Sequence, residues 1–105
     1  MGEKEYLFYL DEALRNRYRY WHVWERGKII EFCVQYEALI AGQWHAVVRY
    51  DSAHGEPHRD LLRPDGTEIK SQYQGYTNAE VLTIGRQDIV ANWRRYRIAY
   101  EKEMR

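Results

Sequence analysis

Residues 29–50 alternate apolar and polar side chains with period two on both sides of a short glycine loop. That pattern restricts the chain to antiparallel sheet at its centre. Ile30, Phe32, Val34, Tyr36, Ala38 and Ile40 line one face, and Glu31, Cys33, Gln35 and Glu37 line the other. After Ala41-Gly42-Gln43, the residues Trp44, Ala46, Val48 and Tyr50 again share a face. A three-residue loop would pair Ile40 with Trp44, Ala38 with Ala46, Tyr36 with Val48 and Val34 with Tyr50. A one-residue slip would put His45 opposite Ala38, so the apolar register is the expected one. On the other face, the same pairing sets Gln35 against Arg49 and Cys33 against Asp51.

Residues 17–26 read as a further strand, rich in aromatics. A two-residue turn at Gly27-Lys28 of type II′ would join it to the central strand. Trp21 and Val23 then fall on the core face, and Tyr18, Tyr20, His22 and Trp24 on the polar face. A slip of one exchanges the two sets. Residues 5–15 fit two patterns. Leu7, Leu10 and Leu14 have helical spacing, while Tyr6-Leu7-Phe8-Tyr9 suits a strand. His58–Arg63 reads as a short strand, Pro64-Asp65-Gly66 as a turn, and Thr67–Tyr73 as the returning strand. Thr77 and Glu80 have capping-box spacing, which starts a helix near Asn78. Leu82, Ile89, Trp93, Tyr96 and Tyr100 form its apolar stripe, and Gly85 weakens its middle by about 1 kcal/mol relative to alanine. Arg94, Arg95 and Arg97 read as a solvated helix end. The expected fold is therefore a single α+β domain over residues 1–105. It is an antiparallel β-meander of four to five strands with one long C-terminal helix packed on one face.

Charge narrows the functional classes. The 105 residues carry 16 Lys+Arg and 16 Asp+Glu, for a net charge of zero. Binding of nucleic acid by bulk charge alone is excluded. The charges are blocked, with acidic residues dominating 1–14 and 51–68 and basic ones 15–28 and 84–105. Cys33 is the one cysteine, so an internal disulfide or a cysteine-based zinc cage is excluded. It reads as a small buried residue rather than a nucleophile. No apolar run is long enough for a membrane helix, and no signal peptide is recognisable. The expectation is a cytoplasmic protein with no membrane association.

The densest polar segment is Arg49-Tyr50-Asp51-Ser52-Ala53-His54-Gly55-Glu56-Pro57-His58-Arg59-Asp60. It begins at a strand end and includes a Gly–Pro loop, where stiff sheets often display functional groups. Imidazole titrates near neutral pH, so His54 and His58 are candidates for an acid–base pair on a phosphate ester. Asp51 would orient an imidazole. Arg49, Arg59, Asp60 and Tyr50 would bind, the guanidiniums meeting phosphoryl oxygens. RNA as substrate needs no metal, because its own 2′-hydroxyl serves as nucleophile. A second reading makes Asp51, His54, His58 and Asp60 a divalent-metal site. A third makes these residues loop scaffolding, with Asp51 and Asp60 bonding amides and pairing with Arg49 or Arg59. The expectation is the acid–base one, with no metal and no cofactor. Tyr, Trp and Arg in residues 15–26 also suit a homodimer or partner interface.

The segments Val34–Ile40 and Val47-Val48-Arg49-Tyr50-Asp51-x-Ala53-His54-Gly55-x-Pro57-His58-Arg59-Asp60, with the Pro64-Asp65-Gly66 turn, resemble a family of small prokaryotic proteins known as a domain of unknown function. That resemblance covers roughly residues 29–70 and implies no activity. Tyr50-Asp51-x-Ala53-His54-Gly55 followed by a second histidine is also similar to TumE-type toxin components of toxin–antitoxin pairs. This implies an antitoxin partner and an RNA target. The adjacent histidines of that pattern are replaced here by Pro57-His58-Arg59, so His54 and His58 alone carry over.

Overall fold

A computed structural model describes residues 1–53 and 55–105. Among the described residues six strands form one antiparallel meander in sequence order: β1 (Gly2–Tyr9), β2 (Asn16–Glu25), β3 (Lys28–Ile40), β4 (Gln43–Asp51), β5 (His58–Leu62) and β6 (Glu68–Gln72). One helix, α1 (Asn78–Glu103), follows. The α+β class and the long C-terminal helix are as expected. The count of four to five strands is corrected to six, because Gly2–Tyr9 pairs with β2 along its whole length. Strand propensity in Tyr6–Tyr9 prevails over the leucine spacing, since the open edge of β2 satisfies the backbone polar groups of this segment.

Thr77 caps α1 in the predicted capping box, its hydroxyl accepting from Glu80 N–H while the Glu80 side chain accepts from Thr77 N–H. The helix lies against β3 and β4. Phe32, Val34, Tyr36, Ala38, Val47, Val48 and Tyr50 meet Val81, Leu82, Ile89, Trp93 and Tyr100 in the core. The Arg94–Arg97 run is not uniformly solvated. Arg97 donates to Leu39 O at 2.8 Å, to Asn16 Oδ1 at 3.0 Å and to Arg15 O at 3.2 Å, tying the helix to the ends of β2 and β3.

Two hairpin registers differ from expectation, and both differences begin at the turn. Ala41 and Gly42 have φ of 51° and 79°, and Arg26 and Gly27 have φ of 52° and 77°. Two successive positive φ angles make a two-residue turn of the primed kind, whose twist matches the strands it joins. In the β3–β4 hairpin, Ile40 therefore faces Gln43, and His45 does face Ala38. The Tyr100 hydroxyl lies 3.4 Å from His45 Nδ1, which gives that imidazole a polar partner. A bulge between Tyr36 and Glu37 then restores Tyr36 opposite Val48 and Val34 opposite Tyr50, as predicted. Val47 is the extra residue, and the bend buries both Val47 and Val48. In the β2–β3 hairpin the turn is Arg26-Gly27, not Gly27-Lys28. Tyr18, Tyr20 and His22 consequently share the face of Tyr36, Val34 and Phe32, while Trp21 joins Cys33 on the other face.

Candidate functional site

The sheet face away from α1 carries a connected polar array. Glu37 is buried between two guanidiniums, accepting from Arg17 Nε and Arg19 Nε at 2.7 Å each and from Gln35 Nε2 at 2.7 Å. Burial alone would raise its carboxyl, but the bonds from Arg17, Gln35 and Arg19 hold it below its ordinary value. Gln35 accepts in turn from Arg49 Nε at 2.8 Å. The Arg17 guanidinium stacks on Trp44, 3.7 Å from the ring centroid.

At the β4–β5 end of this array lie Asp51, His58 and Asp60. Register explains the grouping. Asp51 is the cross-strand partner of His58, and Asp60, two residues on, returns to the same face. His58 Nε2 lies 3.0 Å from Asp51 Oδ1 and 3.2 Å from Asp60 Oδ2. His58 Nδ1 lies 3.1 Å from Glu56 O. His58 and Asp60 are each 3% exposed, so the cluster sits inside the sheet surface rather than on it. Two bonds brace the carboxylates: Ala53 N–H donates to Asp51 Oδ1 at 3.1 Å, and Lys70 Nζ donates to Asp60 Oδ1 at 2.9 Å.

The β4–β5 loop is anchored on both sides. Ser52 N–H donates to Phe32 O and Phe32 N–H donates to Ser52 Oγ, which extends the β3–β4 ladder by one residue. Gly55 has a φ of 95°, a conformation that favours glycine at this bend. A cavity of about 300 Å³ lined by Ala53, Glu56, His58, Lys70, Gln72 and Gln74 opens beside the cluster. A second, of about 370 Å³, reaches Asp51 from the side of Trp21, Cys33 and Ser52.

Of the sequence-predicted residues, Arg49, Asp51, His58 and Asp60 share this face. His54 lies outside the described residues. Tyr50 and Arg59 are on the opposite face of the sheet, under α1. The Tyr50 hydroxyl donates to Asp88 Oδ2 at 2.7 Å, and Arg59 Nη1 donates to the Tyr96 hydroxyl at 3.3 Å. Odd and even positions of a strand point to opposite sides, so contiguity in Arg49–Asp51 and His58–Asp60 could not place all of them together. Lys70 was missed. It lies directly across from Asp60 in β6, and the β5–β6 turn signal was the clue that would have found it. Cys33 lies among these charges with its thiol pushed up to about 11 by burial and by Asp51, which keeps it protonated and unreactive at neutral pH.

No curated protein and no solved structure matches the chain. A family model does, over residues 1–105 rather than the 29–70 that the motifs suggest. The chain belongs to the family described as a domain of unknown function, DUF7718.

Proposed function

We propose that this protein acts on the phosphodiester of an RNA or a nucleotide at the open sheet face, in the manner of a toxin component held in check by an antitoxin partner. The observation that carries the reading is the position of the His58 ring, in the wall of a cavity it shares with Lys70 and clasped by Asp51 and Asp60. In this reading His58 and His54 exchange protons with the substrate, and Asp51 orients the His58 ring. Arg49 and Lys70 supply positive charge for the phosphoryl oxygens. The test is growth arrest on expression, together with RNA cleavage by purified protein. Wild type is expected to do both. His54→Ala, His58→Ala and Lys70→Ala, each checked for folding by circular dichroism, are expected to lose cleavage. Equal cleavage by all four proteins, or none by the wild type on any RNA or nucleotide offered, overturns it.

One observation favours a second reading, a homodimeric or partner-binding module. Leu7, Phe8 and Tyr9 are consecutive, all at least 40% exposed, and lie on β1 at the edge of the sheet. Such an edge is a ready template for strand pairing. Light scattering of wild type and Phe8→Lys distinguishes the cases. A dimer that dissociates in the variant supports this module, and a monomer at all concentrations removes its homodimeric form. No helix among the described residues is long and apolar enough to cross a membrane.

A further inference from the structure

We infer that Asp51, His58 and Asp60 bind a divalent transition-metal ion. Glu56 O can only accept, so His58 Nδ1, 3.1 Å away, carries a proton. In the neutral imidazole Nε2 is then a bare lone pair. It faces Asp51 Oδ1 at 3.0 Å and Asp60 Oδ2 at 3.2 Å, which are lone pairs too. Three converging lone pairs with no hydrogen between them repel unless a positive charge sits among them. That charge is either an additional proton or a cation.

Several features favour the cation. One ligand atom from each residue lies within 4.8 Å of the others. Metal–ligand bonds of about 2.0–2.2 Å at a right angle place neighbouring ligand atoms about 3.0 Å apart, which matches the two distances from Nε2. An imidazole whose other nitrogen donates to a backbone carbonyl is the common arrangement of a metal-bound histidine, because that bond fixes the tautomer and aims the ring. The carboxylates are braced likewise, Asp51 by Ala53 N–H and Asp60 by Lys70. Near-complete burial of His58 and Asp60 strengthens the attraction between cation and ligands. One imidazole and two carboxylates suit Mn²⁺, Fe²⁺ or Zn²⁺. Three protein ligands leave further coordination positions, and the cavity beside Lys70 is where a water or a phosphate oxygen would reach them.

The inference does not depend on the RNA reading. It revises one role within that reading: with a cation bound, His58 holds the metal rather than moving a proton, which leaves His54 as the proton-exchanging histidine. The test is therefore binding alone, with Mn²⁺ as probe and electron paramagnetic resonance as readout. One Mn²⁺ is expected to bind per chain, with pulsed spectra showing coupling to one imidazole nitrogen. That coupling is expected to survive in His22→Ala, His45→Ala and His54→Ala and to be lost in His58→Gln, each variant checked for folding by circular dichroism. Asp60→Asn is expected to weaken binding by about 100-fold, since removing even an outer partner of a ligand costs about 10–100-fold. Mn²⁺ that stays free at millimolar concentration, or binds without nitrogen coupling, overturns the inference and identifies the central charge as a proton. Failure of RNA cleavage with intact Mn²⁺ binding would overturn only the RNA reading.

Discussion

Gly85 of α1 lies directly against the ring of Tyr50 on β4. A β-carbon built on Gly85 would fall 2.6 Å from Tyr50 Cγ and 2.7 Å from Cδ1. Helix and sheet approach this closely only because the side chain is missing. Helix propensity alone says that Gly85→Ala should stabilise the chain by about 1 kcal/mol. The packing predicts the reverse, a loss of about 1–3 kcal/mol from overpacking, read from urea or thermal denaturation. A gain in stability would show that the helix can lift off Tyr50 at no cost.

Arg97 and Arg94 differ by one turn of position and belong to different environments. The Arg97 guanidinium bonds two backbone carbonyls and Asn16, whereas Arg94 stacks on Trp93, 4.4 Å from its centroid. Arg97→Ala should therefore cost about 1.5–3 kcal/mol, the scale of hydrogen bonds to a charged group. Arg94→Ala should stay within about 1 kcal/mol, the scale of an exposed cation–π contact. Similar losses in denaturant midpoint for both variants would contradict the assignment.

The tyrosines at the seam between α1 and the sheet make stability fall in alkali. Burial pushes the Tyr18 hydroxyl up to about 12, and burial with the Asp88 bond pushes Tyr96 up to about 12 as well. Tyr36 and Tyr50 are raised further, by burial first and, for Tyr50, by its bond to Asp88. A raised phenol pKa means that the unfolded chain loses its protons first. The stabilisation is complete below pH 10 and is lost as pH climbs from 10 towards 12. Absorbance of tyrosinate should show a fraction of the ten tyrosines that ionises only with unfolding. A single smooth titration near pH 10, with no unfolding step, would contradict the packing.

What was legible in the sequence follows from which signals are local. Alternation in Phe32–Ala38 marks a face, and the Thr77–Glu80 pair marks a helix start, because each depends on a few adjacent residues. Alternation reports parity but not where a strand bends. Val47-Val48 looks the same with or without a bulge between its neighbours, and that bulge decides whether Ala38 meets Ala46 or His45. An arginine at positive φ, as at Arg26, leaves no signature that would move the turn by one residue. The grouping of His58 with Asp60 was readable from their spacing of two in a strand. Their union with Asp51 and Lys70 required the β4–β5 and β5–β6 registers. Tyr50 and Arg59, adjacent in sequence to the cluster, fall to the other side of the sheet by the same rule.

The central claim is that Asp51 and Asp60 clasp His58 through Nε2 while Glu56 O holds its Nδ1 proton. The most direct measurement is the ¹⁵N spectrum of the imidazole rings, assigned by comparison with His58→Gln. The account predicts that His58 Nδ1 is protonated in the folded protein and that its hydrogen is protected from exchange. It also predicts that Zn²⁺ shifts the Nε2 resonance and leaves Nδ1 protonated. A neutral ring with its proton on Nε2 and Nδ1 bare, unaffected by Zn²⁺, would contradict it.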